Sequence, residues 1–158
     1  MLALLNAADD AHAACDAVFS TYPGCLIVPG PILTEVCYMA ESRLGSEAEA
    51  LFLDSLVAGE FELEALTTSD LERMAELVRT YADFPLGAAD ASVIAVAERL
   101  QATRIATLDH RHFRAVRPAH CEAFELLPAS WGRHALPSVK PRLGQLSGHR
   151  RQGNAYGG

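Results

Sequence analysis

Long apolar runs are missing from this sequence. No stretch approaches the roughly 18 residues that cross a bilayer, and the opening Met1-Leu2-Ala3-Leu4-Leu5 has no basic flank and meets charge by Asp9. The segment is read as part of the fold and not as a secretion signal; no membrane partner is expected, and the expected compartment is the cytoplasm. Cysteine is sparse. Cys15, Cys25, Cys37 and Cys121 include no pair within three residues of each other, so there is no CxxC signal for zinc or redox chemistry, and free thiols in a reducing compartment are expected. Basic charge is short in the first 132 residues, which hold eight arginines and no lysine against twenty acids, a balance of −12, whereas residues 133–158 hold five lysines or arginines and no acid. An acidic body argues against broad electrostatic binding of nucleic acid. It does not exclude a nuclease whose acids hold metal ions, because a bound cation inverts the local field.

What is present is an ordinary globular composition: half of the 158 residues are hydrophobic and 21% are charged, enough for one domain with a real core. That domain is expected over residues 1–132. Residues 133–158 contain Pro137 and Pro141, are rich in glycine and poor in apolar side chains, and read as a basic, disordered tail.

The pattern of elements alternates helix and strand. Leu4, Leu5, Ala8, Ala11, Cys15, Val18 and Phe19 recur at helical spacing, with Asp9-Asp10 marking a break between two short helices. Cys25–Val28 is a short apolar run closed by Pro29-Gly30-Pro31, the signature of a buried parallel strand, and Pro31 opens the next helix, with Glu35 near its start. Gly45 ends that helix and a second amphipathic one follows over Ala48–Ala58. Phe61–Leu66 alternates as a strand does; Ser69 with Glu72 is read as a capping box for a helix to about Tyr81. A further helix covers Ala88–Leu100, a short strand Arg104–Leu108, and a last strand Cys121–Leu127. Phe124 and Trp131 are assigned to the core or its rim. The class is α/β with a mostly parallel sheet flanked by helices.

Sites in open α/β sheets gather at the carboxyl ends of the strands, and three acids fit that end. Asp109 closes the strand that ends at Leu108, Asp90 lies in the first turn of the preceding helix, and Glu35 lies in the first turns of the helix after Cys25–Val28. Each has a plainer explanation: an acid near a helix N-terminus is stabilised by the dipole anyway, and aspartate starts turns. Taken together, carboxylates without imidazole or thiolate favour Mg²⁺ or Mn²⁺, ions suited to phosphodiester hydrolysis. The one basic stretch of the body, His110, Arg111, His112, Arg114, Arg117 and His120, follows Asp109 directly; it is either a phosphate contact for RNA or a solvated loop. A different small-phosphate hydrolase on a similar sheet fits the same carboxylates.

Gly87-Ala88-Ala89-Asp90-Ala91-Ser92-Val93-Ile94-Ala95-Val96-Ala97-Glu98-Arg99-Leu100, followed by Arg104-Ile105-Ala106-Thr107-Leu108-Asp109-His110-Arg111-His112-Phe113, resembles the C-terminal half of a PIN domain of the VapC toxin type. Tyr81–Leu86, Thr34-Glu35-Val36 and Ala3–His12 extend the resemblance, more softly, over Ala3 to Leu127. It implies a PIN-like three-layer fold and a metal-dependent endoribonuclease toxin, with a cognate antitoxin as partner and RNA as substrate. Glu35, Asp90 and Asp109 would then ligate Mg²⁺ or Mn²⁺ directly or through water, and Thr107 would supply a hydroxyl near the metal water, its plain alternative being a β-branched strand residue. Toxins of this kind commonly form homodimers and take an amphipathic antitoxin segment, for which Leu51, Phe52 and Leu56 offer either a groove or core packing.

The sequence departs from that family at its start. PIN domains open on an apolar strand that ends in aspartate, whereas Met1 falls where the first helix begins and no aspartate precedes Asp9. The expectation is a gap at the centre of the sheet, weak metal binding and reduced or absent catalysis. Three accounts compete: a start assigned too late, a decayed toxin that only binds antitoxin or RNA, or another segment filling the gap.

Overall fold

The computed structural model describes residues 1–84 and 86–129; the basic tail and Trp131 lie outside them. Two short helices, α1 (Leu2–Leu5) and α2 (His12–Thr21), open the chain. The break between them falls at Asp9-Asp10 as expected, because the Asp9 carboxylate accepts the Ala11 amide at 2.8 Å and starts a new helix instead of continuing the old one. Strand β1 (Leu26–Pro29) leads into α3 (Gly30–Leu44) and α4 (Ser46–Val57), and β2 (Phe61–Glu64) follows. Gly45 joins α3 to α4 at φ +91° and ψ 171°, a region essentially closed to residues with a Cβ. Helices α5 (Thr68–Thr80) and α6 (Ala88–Arg99), strand β3 (Arg104–Ala106), helix α7 (His110–Ala115) and strand β4 (Glu125–Leu127) complete the order.

The cap of α5 is two residues earlier than Ser69. Thr67 accepts the Asp70 amide at 3.2 Å and Asp70 accepts the Thr67 amide at 2.8 Å, a reciprocal box that leaves Ser69 inside the helix. Thr67 with Asp70 has the same three-residue spacing as Ser69 with Glu72. What separates them is that the Asp70 carboxylate also receives the Arg99 guanidinium.

Every strand pairing is parallel, and the architecture is α/β with helices packed on the strands. Among the described residues the strands form two separate pairs, β1 with β2 in the register Leu26 to Phe61 and β3 with β4 in the register Arg104 to Glu125. Strands β1 and β3 face each other across a cleft of about 680 Å³, lined by Cys25–Pro29 on one side and Arg104–Asp109 on the other, while β2 and β4 contribute only Phe61 and Leu127. This is the gap at the sheet centre that the sequence led us to expect. Its cost is smaller than that of buried unpaired groups, because the edges can be hydrated: Ile27 is 41% exposed, and Arg104 and Ala106 are exposed as well.

Each half has its own core. Val28, Val36, Phe52 and Phe61 form one, with the Phe61 ring tilted against Phe19 at 5.1 Å and edge-on to Phe52 at 6.1 Å between centroids. Leu77, Leu86, Ala91, Ile94, Ile105, Phe113, Phe124 and Leu126 anchor the other. Helix α6 touches both halves through α3, β1 and α5. At its C-terminal end, Arg99 bonds Asp70 at 3.0 Å and Glu64 at 3.0 Å, tying α5, α6 and the end of β2 together. Arg73 reaches across to Glu98 at 2.7 Å. No helix among the described residues is long and apolar enough to cross a membrane.

The ionisation of Asp70 ties this frame to pH. Burial alone would push the Asp70 carboxyl up, but the Thr67 amide, the Arg99 guanidinium and the Thr67 hydroxyl outweigh it and hold the group below its ordinary range. Its stabilisation is therefore present above about pH 4 and lost as pH falls through the depressed folded value. Asp70→Ala, which removes the cap and the ion pair together, is expected to cost roughly 2–4 kcal/mol in urea denaturation at neutral pH, with the difference from the unaltered chain shrinking on acidification. The seam between the strand pairs has its own readout. The Thr107 amide bonds the Leu127 carbonyl and the Glu125 amide bonds the Thr103 carbonyl, so alternation turns the amides of Arg104 and Ala106 toward the cleft. In amide hydrogen exchange, Ile105 is expected to be protected and Ala106 to exchange close to the unprotected rate; equal protection of the two would mean that the seam is closed.

Candidate active site

Three loops and helix starts bring the site to the carboxyl end of β3. Asp90 is the third residue of α6, where Gly87 leaves the helix N-terminus without a side-chain cap and the dipole favours an acid. Asp109 follows β3 and caps α7, its Oδ1 accepting the His112 amide at 3.3 Å. Asp109 thus performs the turn-starting role that argued against it, and still presents its second oxygen to the cleft.

His112 joins the two acids. Its Nδ1 donates to Asp90 Oδ2 at 3.0 Å and lies 3.1 Å from Asp109 Oδ2. In the sequence His112 stands out only as one member of a basic stretch. The available signal was its spacing: three residues after Asp109, at the start of a helix, a side chain returns over its own cap. Burial pushes the Asp90 carboxyl up, the charge and hydrogen bond of His112 pull it back, and Asp109 pushes it up again; the net shift is upward.

Thr107 lines the same cleft. Its hydroxyl oxygen accepts the Asp109 amide at 3.0 Å, which fixes the turn carrying Asp109 and leaves the hydroxyl proton free to donate. Glu35 also lines the cleft, from the wall formed by α3, but it is the sixth residue of that helix, beyond the first turn where the dipole would explain it. It makes no bond to Asp90 or Asp109 among those observed. Asp9 borders the cleft too, with its carboxylate engaged by the Ala11 amide. The structure therefore brings Asp90 and Asp109 together, with Thr107 behind them, and sets Glu35 apart on the other wall.

Arg111, Arg114 and Arg117 stand outside the cleft lining, all exposed. Arg111 lies over the Phe84 ring at 5.1 Å, Arg114 approaches His110 at 3.4 Å, and the Arg117 backbone amide bonds the Tyr81 hydroxyl at 3.1 Å. Among the described residues no group of three or more His, Cys, Asp and Glu side chains is close enough to hold a metal ion by itself. Two adjacent carboxylates nevertheless suit Mg²⁺, which keeps several waters and is commonly held by one or two carboxylates together with a substrate phosphate.

An open parallel α/β arrangement with two acids converging beyond the carboxyl end of β3 defines the structural class. The comparisons with known proteins place the chain within it: the PIN domain model matches residues 1–118, and the chain belongs to the PIN-domain family. Ribonuclease VapC26 of Mycobacterium tuberculosis is 34% identical over 128 residues, 81% of this chain and 95% of that protein, so the chain is of the VapC type. The crystal structure of Mycobacterium tuberculosis VapC20, titled a Sarcin-Ricin loop cleaving toxin, matches with a TM-score of 0.66 at 19% identity, covering 72% of this chain and 87% of that one. That second likeness bears on the fold alone and agrees with the PIN-like α/β architecture.

The upward shift at Asp90 has a measurable consequence. A carboxyl raised on folding stabilises the fold most below its unfolded value and loses that contribution as pH rises through the folded value. At neutral pH the ionised group is therefore a cost. Asp90→Asn is expected to leave the thermal midpoint at pH 7 unchanged or raised by a few degrees while removing activity. A clear fall in the midpoint would show that Asp90 is a structural residue.

Proposed function

We propose that this protein is a metal-dependent endoribonuclease toxin that hydrolyses RNA phosphodiester bonds in the cleft at the carboxyl end of β3. The observation that carries the reading is the convergence of Asp90 and Asp109 on one imidazole nitrogen of His112, in a chain of the PIN family whose relative at 34% identity is named a ribonuclease. Asp90 and Asp109 would hold Mg²⁺ or Mn²⁺, with Glu35 reaching it through water from the opposite wall. When bound, such an ion neutralises charge on the scissile phosphate and acidifies water for attack.

The chain's own side chains set the conditions for that step. Burial, with a smaller push from the Asp109 charge, holds the Asp90 carboxyl up, and His112 partly offsets it. Thr107 orients the Asp109 turn through the amide bond already described and offers its hydroxyl proton to the cleft. Arg111, Arg114 and Arg117, exposed outside the cleft lining, would supply positive charge for the phosphates that flank the cut. A cytoplasmic setting accords with four free cysteines. Neutralisation by a cognate antitoxin and pairing into a homodimer belong to the same reading. On α4, Phe52 is buried in the core while Leu51, Leu53 and Val57 stay exposed, and these exposed side chains are the apolar surface such a partner would cover.

The test is cleavage of a labelled single-stranded RNA by the 158-residue chain with Mg²⁺ or Mn²⁺. EDTA is expected to abolish cleavage, and Asp90→Asn or Asp109→Asn to reduce it by at least about 100-fold. A folded chain that binds RNA or antitoxin and cuts nothing under these conditions would overturn the reading in favour of a binding protein. Hydrolysis of small phosphate esters without RNA cleavage would overturn it in favour of a different phosphohydrolase.

A further inference from the structure

Phe84 stands beside the carboxylate pair without any role in holding it. It ends the turn after α5, its amide bonded to the Tyr81 carbonyl at 2.9 Å, and its side chain is half-buried, whereas the phenylalanines of the neighbouring core, Phe113 and Phe124, are buried at 4% and 8% exposure. Two consecutive residues of α7 meet its ring. The Arg111 guanidinium lies over it, 5.1 Å from the centroid. The His112 imidazole stands edge-on, with centroids 5.2 Å apart and planes at 90°. Since His112 also bonds Asp90, the aromatic ring is separated from the carboxylates by the width of one imidazole.

An aromatic ring with a guanidinium over its face presents a weakly hydrated layer. Arg111 is exposed, so the outer side of that layer is open to solvent. Bases splayed out of single-stranded RNA stack on such aromatic and guanidinium planes, whereas bases inside an A-form duplex are not free to do so. Next to a site that cuts a phosphodiester, the group arriving at this layer is the base of a nucleotide adjoining the cut.

We propose that Phe84 and Arg111 form a base-stacking platform that sets the register of the RNA strand over Asp90 and Asp109. The inference rests on the ribonuclease reading and adds to it positioning residues outside the acidic centre, which take an unpaired base beside the scissile phosphate. Arg111 then contributes by stacking as well as by charge, and lysine cannot replace it. Phe84 is a positioning residue: it backs the Arg111 guanidinium that meets the base and touches none of the reacting atoms.

The experiment measures binding by fluorescence anisotropy in EDTA, where nothing is cut, and steady-state cleavage with Mg²⁺ or Mn²⁺. The probes are a single-stranded oligoribonucleotide that the unaltered chain cleaves and the same strand with an abasic nucleotide on either side of the cut. Removing the base on one side is expected to weaken binding to the unaltered chain by roughly 5- to 150-fold, the range of one base–aromatic stack. In Phe84→Leu the intact strand is expected to bind that much more weakly, with the abasic strand no worse, and KM is expected to rise with kcat little changed. Phe84→Tyr is expected to restore binding, Arg111→Lys to remain weak, and a duplex of the same sequence to bind poorly to all. A Phe84→Leu chain with native circular dichroism that still suffers the full abasic penalty would overturn the platform, as would equal binding of duplex and single strand. Those results leave the ribonuclease reading standing. If the unaltered chain neither binds nor cuts any RNA, the ribonuclease reading falls and the platform falls with it.

Discussion

Helix α6 is the element on which the rest depends, because the strands do not connect the two halves of the molecule and the helix does. Its buried residues, Ala91, Ser92, Ile94, Ala95, Val96 and Ala97, present small side chains on more than one face. That lets α3, α5 and β1 all pack against it at close range. Ser92 is the one polar residue in that set, and it is satisfied internally by the Ala89 carbonyl. A helix buried on several sides needs nearly continuous apolar sequence, and Ala91–Ala97 contains no charge. The charges are displaced to the two ends, where they do different things. At the C-terminal end Glu98 and Arg99 lock the neighbouring helices by ion pairs; at the N-terminal end Asp90 is left facing the cleft.

That division explains why the site can tolerate like charges close together. Two carboxylates converge where the strand pairs are parted by a hydrated cleft, and the rigid frame needed to keep them converging comes from the opposite end of the same helix. Asp70 is a contrasting acid. It is 2% exposed, yet it is held well ionised because an amide, a hydroxyl and a guanidinium all donate to it. Asp90 is less buried and is nevertheless pushed the other way, with a single imidazole donor and a second carboxylate nearby. Burial alone does not decide the direction; the number of donors does. The fold completes the shell of one acid and leaves that of the other open, and open carboxylate oxygens are what a hydrated cation requires.

Most of the order of elements was legible in the sequence, since each helix and strand carries its own period and its own punctuation. The break at Asp9-Asp10, the strand closed by Pro29-Gly30-Pro31 and the strand before Asp109 could all be located without coordinates. The cap of α5 was misplaced because Thr67 and Ser69 are both plausible caps with an acid three residues on, and only the carboxylate that also meets Arg99 wins. In the site, Asp90 and Asp109 were legible from their places at a helix start and a strand end. Their common partner was not, because His112 acts through geometry that one helical turn creates, and histidine is a poor ligand for the hard cations the acids suggest. Glu35 was grouped with them on the strength of strand-end placement, yet placement fixes only which end of the sheet a residue reaches. Glu35 on α3 lines the same cleft as Asp90 and Asp109 and makes no observed bond to either.

The same seam bears on how the site acts. A cleft between two strand edges exposes backbone amides such as that of Ala106 directly beside the acidic centre, so the floor is polar at its rim and apolar beneath, where Val93, Val96 and Ile105 line it. An anionic polymer cannot lie along that floor without a cation, since its phosphates would meet Asp90, Asp109 and Glu35 in an already acidic body. In the proposed reading it would be held from the side, where α7 carries Arg111 and Arg114 and where Phe84 and Arg111 would offer a surface indifferent to the sign of the nearby carboxylates. Phe84 and Arg111 thus lie on one side of His112 and Asp90 on the other. In the proposed reading that separation would let an acidic protein take an acidic substrate: attraction to the strand would not have to come from the residues proposed to hold a metal ion.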